Sequence, residues 1–211
     1  MLPMFPLQLV VFPGEKLPLH VFEPRYKQLV MECRSNGTTF GVPAYIDGAI
    51  KDVGTEVELS AIQKTYPRGE MDILCTARGL FRIDRFFQQA PNRLYAAAEI
   101  TRLEASGGTT DPFLAAELLS LLQTLFSNIH IKQELPDDAA SFKVFEVGHQ
   151  LGLSIQQEYT LLTLSTEMER QQFVLEHVQK ILPTIQEMES LRRKAQMNGH
   201  FKNVIPPDFD S

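Results

Sequence analysis

The chain has 211 residues, 44% hydrophobic and 22% charged, with a formal net charge of -6 and a pI of about 5.4. That length suits one large domain or two small ones sharing an interface, and the composition is that of a globular protein able to bury a sizeable core. The acidic balance argues against a general nucleic-acid binder, which would display a basic face to phosphates. The N-terminus has no basic region, and prolines break its apolar run, so it reads poorly as a signal peptide. No stretch is long and apolar enough to span a membrane, and a cytoplasmic chain is the expectation. Cys33 and Cys75, far apart in such a chain, read as reduced and buried.

In chain order, Phe5 to Phe12 is nearly all apolar and predicts a strand buried on both faces. Pro13-Gly14 predicts a turn, and Leu17 to Phe22 a second strand that Pro18 confines to an edge or a bulge. Pro24 to Arg34 predicts a short helix with Tyr26, Leu29, Val30 and Cys33 on one face, ended by Asn36-Gly37. The pattern then changes to strands at Phe40–Ile46, Thr55–Ile62, Met71–Arg78, Leu80–Phe87 and Tyr95–Leu103. Turns fall at Asp47-Gly48 and Pro67-Arg68-Gly69, and Gly79 marks a bulge or tight corner. Six or seven strands with short turns fit a small barrel or sandwich.

Residues 105–110, ASGGTT, predict a flexible linker, and beyond them the periodicity is helical. Asp111 and Pro112 open a helix whose apolar face includes Leu118, Leu122, Leu125 and Phe126. A second helix is predicted from Pro136-Asp137-Asp138 to Gly152. Capping boxes Ser154/Gln157 and Thr166/Glu169 start a third and a fourth. In the fourth, Val174, Val178, Ile181, Ile185 and Met188 form a seam for partner helices, Pro183 predicts a kink or a break, and Asn198-Gly199 an end. The tail either packs back through Phe201, Val204, Ile205 and Phe209 or stays disordered.

The run F-P-L…V-V-F-P-G…L-P-L…F-E-P-R-Y between Phe5 and Tyr26 resembles the opening of the Lon-protease N-terminal domain family. Gly54-Thr55 and Arg78-Gly79…Phe81-Arg82-Ile83 resemble that family's later signposts, and the layout of a β region followed by helices also resembles that family, so the likeness extends to about Ala195. It implies an α+β protein: a PUA-like β pseudo-barrel over 1–104, an α-helical bundle over 111–198 and a tail over 199–211. It also implies a stand-alone, non-catalytic substrate-recognition module that binds extended or unfolded polypeptide. Partners would be polypeptide clients or a protease or chaperone component.

The residues themselves propose no chemistry. There is no G-x-x-x-x-G-K-[ST] loop, no G-x-S-x-G elbow, and no paired His or Cys spacing for a metal, so neither catalysis, cofactor nor metal is expected. The candidate peptide-binding residues are His20, Glu23, Arg25, Tyr26 and Phe81. Arg25 and Tyr26 carry two readings: they hydrogen-bond an extended peptide, or they lock the strand-to-helix corner by ion pairing and packing. RNA binding, by analogy with PUA-like barrels, and an uncharacterised enzyme are the alternative functions.

Overall fold

A computed structural model of the chain describes residues 1–104, 111–136 and 138–201, with side chains through 196. Among these it is a mixed α/β protein with a six-stranded sheet, four α-helices and one 3-10 helix. The strands are β1 (Leu2–Met4), β2 (Lys16–Val21), β3 (Phe40–Ile46), β4 (Ala49–Thr65), β5 (Met71–Phe87) and β6 (Ala96–Leu103). Helix α1 (Pro24–Asn36) lies between β2 and β3. After β6 come α2 (Pro112–Asn128), the 3-10 helix (Val144–Gln150), α3 (Ile155–Thr163) and α4 (Glu167–Phe201).

The chain forms two compact units that do not follow sequence order. Of the described residues, 1–104 and 143–170 form the first, and 111–136, 138–142 and 171–201 the second. The stretch 143–170, which periodicity alone groups with the helical half, packs with the strands.

In the first unit the pairings close on themselves. β5 pairs with β4, β4 with β3, β3 with β1, β1 with β6 and β6 again with β5, while β2 pairs only with β5. Closure removes free edges from five of the six strands. β2 remains at an edge, where Pro18 is tolerated. Inside the ring, Phe81 is fully buried among Leu2, Met4 and Ala98. Gly41 and Gly54 make room for its ring: a Cβ on either would stand 2.7 Å from Phe81 Cζ. A larger cluster, including Phe5, Tyr26, Leu29, Phe40, Ile73 and Cys75, joins α1 to the strands.

The apolar run after β1 departs from the expectation. Residues 5–12 are not a regular strand; the strand lies earlier, at Leu2–Met4. Pro3 and Pro6 have no N–H to donate. The segment is held instead by Phe5 N–H to Gly41 O (2.8 Å), Leu7 N–H to Pro43 O (3.2 Å) and Tyr45 N–H to Leu7 O (2.7 Å). β4 and β5 are each 17 residues long and unbroken, longer than the alternation suggested. Bulges let them bend. Thr55 pairs with Leu80 and Val57 with Ala77, so Glu56 alone faces both Arg78 and Gly79. Gly79 therefore sits in the bulge predicted for it.

Four local signals for helix ends hold. Gly37 adopts φ 63° and its N–H reaches Cys33 O, closing α1 on the left-handed cap. Asp111 accepts from Phe113 N and Leu114 N, and Ser154 and Gln157 complete their capping box. Glu169 accepts from Thr166 N (2.8 Å) while its own N–H donates to Thr166 Oγ1 (3.2 Å). The predicted helix from 136 to 152 is instead a turn followed by the 3-10 helix, which ends before Gly152 at φ 68°. Gly148 lets this helix lie against the ring of Phe12: a Cβ there would collide with it.

In the second unit, α2 buries Leu118, Leu122, Leu125 and Phe126, and Gln179 of α4 donates to Glu117 of α2 at 3.3 Å. α4 is not divided at Pro183, and it continues through Asn198-Gly199 to Phe201. Of its predicted seam, Val174 and Val178 are buried, whereas Met188 is 66% exposed. The expected linker at 105–110, Asp137 and the tail beyond 201 lie outside the described residues.

Candidate functional site

Within the first unit a cleft of about 820 Å³ opens between the strands and the 3-10 helix. Five separated segments build it. The turn Pro13–Glu15 leads into Lys16 of β2, and two backbone bonds fix it to β5: Gly14 N–H to Ala77 O (3.2 Å) and Ala77 N–H to Glu15 O (2.9 Å). The Arg78-Gly79 bulge and Leu80 form the next edge, and Leu103-Glu104 at the end of β6 follow. The opposite wall carries Lys143, Phe145, Glu146, His149 and Gln150, and Glu167 and Arg170 of α4's first turn close it. The lining is thus apolar at Pro13, Leu80, Leu103 and Phe145, with charges of both signs around them.

Specific contacts hold the opposite wall together and fix it beside the strands. Val144 N–H donates to Glu167 Oε1 at 2.7 Å. Phe145 stacks on Phe12 with ring centroids 5.1 Å apart, and the Arg170 guanidinium lies 4.4 Å from the centroid of the same Phe145 ring. Tyr159 of α3 accepts from Val53 N at 3.1 Å. His149 places Nε2 2.9 Å from Glu15 Oε2 and Nδ1 2.8 Å from Glu158 Oε1. Those two carboxylates, Glu15 first, push its pKa up to about 9 against the opposing effect of burial. At neutral pH His149 is an imidazolium that joins the turn before β2, the 3-10 helix and α3.

The five residues singled out from sequence do not converge on this cleft. His20 places Nδ1 2.6 Å from Asp72 Oδ1, and Tyr66 donates to Asp72 Oδ2 at 2.7 Å. These bonds, His20's first, hold the Asp72 carboxyl below its ordinary range. Phe22 stands beside His20 at 60% exposure. Arg25 Nε donates to Glu23 Oε2 at 2.9 Å, and its guanidinium covers Tyr26 at 4.5 Å. Tyr26 is buried, stacked on Phe5 at 3.7 Å, and burial raises its pKa. Arg25 and Tyr26 thus make the contacts of the corner-locking reading. Phe81 lies inside the ring, away from the surface.

The second carboxylate network lies across β4 and β6. Arg102 grips Glu56 through Nε (2.7 Å) and Nη2 (2.9 Å), and Thr39 also donates to it. Arg102's bonds lower the Glu56 pKa despite burial. Cys33 and Cys75 are buried, and burial pushes the Cys75 thiol up to about 12. Among the described residues, no three His, Cys, Asp or Glu side chains gather as a metal site, and no helix is long and apolar enough to cross a membrane.

Residues 1–181 match the family described as the ATP-dependent protease La (LON) substrate-binding domain. A crystal structure of a Lon N-terminal domain protein from Xanthomonas campestris aligns with a TM-score of 0.67 at 27% identity, covering 83% of this chain and 96% of that one. The N-terminal domain of a Mycobacterium avium complex Lon protease aligns at 0.66 with 15% identity, covering 84% and 97%, and shares the fold. Among curated proteins none matches the sequence.

Proposed function

The chain belongs to the LON substrate-binding domain family, and from that membership we propose that it is a non-catalytic module that binds extended segments of polypeptide in the cleft of its first unit. The observation that carries this reading is the cleft itself. At about 820 Å³ it has the size of a ligand site, with apolar side chains at Pro13, Leu80, Leu103 and Phe145 set among charged ones. Such a lining suits a peptide, whose apolar side chains supply affinity while its main chain needs both donors and acceptors. The first unit would resemble a PUA-like pseudo-barrel, with polypeptide clients or a protease component as partners.

The surface around His20, Glu23 and Arg25 is proposed as a second contact for the same client, with exposed Phe22 as its apolar anchor and Tyr26 and Phe81 as supporting core. β2 starts at the cleft with Lys16 and ends beside this corner. At about 3.3 Å per residue the separation is on the order of 20 Å, which an extended peptide of about six residues spans.

Fluorescence anisotropy with a labelled, permanently unfolded polypeptide tests the reading. Saturable binding is expected, weakened about fivefold or more by Leu80→Ser or Leu103→Ser without loss of cooperative unfolding. Binding only of a labelled RNA oligonucleotide, abolished by salt, would refute it.

A further inference from the structure

Closing five strands into a ring leaves β2 with one edge on β5 and the other unpaired. The register decides which main-chain groups that second edge carries. Ala77 N–H donates to Glu15 O where the β2–β5 ladder begins. Main-chain direction alternates along a strand, so Cys75, Ile73 and Met71 also turn to β2, where they meet Leu17, Leu19 and Val21. Lys16, Pro18 and His20 therefore point their main-chain groups away from β5. Pro18 fits that side, since a residue without an N–H is tolerated in a sheet where its nitrogen faces outward. Among the described residues, no bond outside the β2–β5 ladder reaches the main chain of these three, and all three are exposed. Their neighbours leave the edge clear. Lys16 Nζ donates across β5 to Thr76 Oγ1 at 2.7 Å, and His20 bonds Asp72 of β5 at 2.6 Å. At one end of the edge Lys16 lines the cleft, and beyond the other end Phe22 is exposed.

Resting on the polypeptide reading above, we propose that the open edge of β2 takes the client as an added strand. Client N–H groups donate to the carbonyls of Lys16, Pro18 and His20, and client carbonyls accept from the N–H groups of Lys16 and His20. Such pairing engages the main chain of alternate client residues, so it demands an extended, unpaired backbone and little particular sequence. One face of the added strand lies beside partly buried Leu19, which favours an apolar side chain at the client positions that cover it. A second copy of this chain fits the edge less well. Two β2 strands paired antiparallel over their whole length set Pro18 against Pro18, where neither has an N–H to give.

Pro18→Val supplies the donor that the edge lacks. With a labelled, permanently unfolded peptide, affinity rises about 3- to 10-fold, because one more client carbonyl is bonded. Amide hydrogen exchange of the wild type is the second readout and needs no variant. In the free protein Leu17, Leu19 and Val21 exchange slowly while Lys16 and His20 exchange fast, and saturating peptide slows Lys16 and His20 as well. Peptide binding that leaves those two amides unchanged overturns the added strand, as does a folded Pro18→Val protein that binds no more tightly. Protection of the same amides that grows with protein concentration in the absence of peptide gives the edge to a second copy, and also overturns it. If no peptide binds at all, the polypeptide reading falls and the added strand with it; if peptide binds at the cleft residues alone, only the added strand falls.

Discussion

The imidazolium of His149 should make the first unit lose stability in alkali, by an amount the structure bounds. In the folded chain Glu15 and Glu158 raise its pKa from 6.5 to about 9. At 1.36 kcal/mol per pH unit that gap corresponds to roughly 3 kcal/mol if undiluted. The side chain is 43% exposed, so water and salt screen the pairs. About 1 kcal/mol is the realistic share. The folded pKa is the higher one, so the stabilisation is complete below pH 6.5 and disappears as pH rises through about 9. Urea unfolding of the wild type and of His149→Gln between pH 6 and pH 10 measures this, since groups common to both proteins cancel in the difference. The two should differ by about 1 kcal/mol at pH 6 and converge by pH 10. A pH-independent difference, or an NMR titration of His149 centred near 6.5, would refute the reasoning.

Four other outcomes follow from contacts described above. Gly148→Ala drives a methyl into the Phe12 ring and should cost about 1–3 kcal/mol in urea unfolding. Phe81→Ala empties the interior of the ring and should cost about 3–5 kcal/mol. Lost peptide affinity at unchanged stability would instead place Phe81 in the binding surface. Glu56, its carboxyl held low chiefly by Arg102, contributes stability that is present above its unfolded pKa and is lost as pH falls through the lower folded value. Acid unfolding of Glu56→Gln should lack that component. Cys75, fully buried with its thiol pushed up to about 12, should react with a thiol reagent only as fast as the protein opens, and promptly in denaturant.

What could be read from the sequence was what depends on neighbours in the chain. The capping pairs Ser154/Gln157 and Thr166/Glu169, the Asp111 cap and the Asn36-Gly37 stop each involve residues within four positions, and all formed as expected. Where partners are distant, the local pattern misled. Residues 5–12 look like a strand, yet Pro6 breaks the donor ladder and β3 offers only a few bonds. The stretch 136–152 has helical turn residues, but its 3-10 helix packs Gly148 on Phe12, a partner more than a hundred positions away that no local pattern names. β4 and β5 read as shorter pieces because each bulge shifts the alternation by one residue.

The cleft was invisible for the same reason. Its walls come from residues 13–16, 78–80, 103–104, 143–150 and 167–170, and no spacing in the sequence relates them. The family run at Phe5–Tyr26 includes one of its edges, Pro13-Gly14, and Gly79 reads from sequence as a bulge or tight corner. That these two segments are stitched together through Ala77 depends on sheet register. Of the sequence candidates, His20, Glu23, Arg25 and Tyr26 lie close in sequence and bond Asp72, one another or the core, and Phe81 is itself core. Adjacent polar residues are easy to see in a sequence; unpaired ones, such as Gln150 Oε1, appear only when every partner is placed.

The central claim is that polypeptide binds in the cleft of the first unit. Amide NMR shifts recorded while an unlabelled, permanently unfolded peptide is titrated into isotope-labelled protein test it most directly. The account predicts saturable changes concentrated at Gly14–Lys16, Arg78–Leu80, Leu103 and Lys143–Gln150, with smaller ones near Phe22. Saturable changes confined to other surfaces, or none at millimolar peptide, would contradict it.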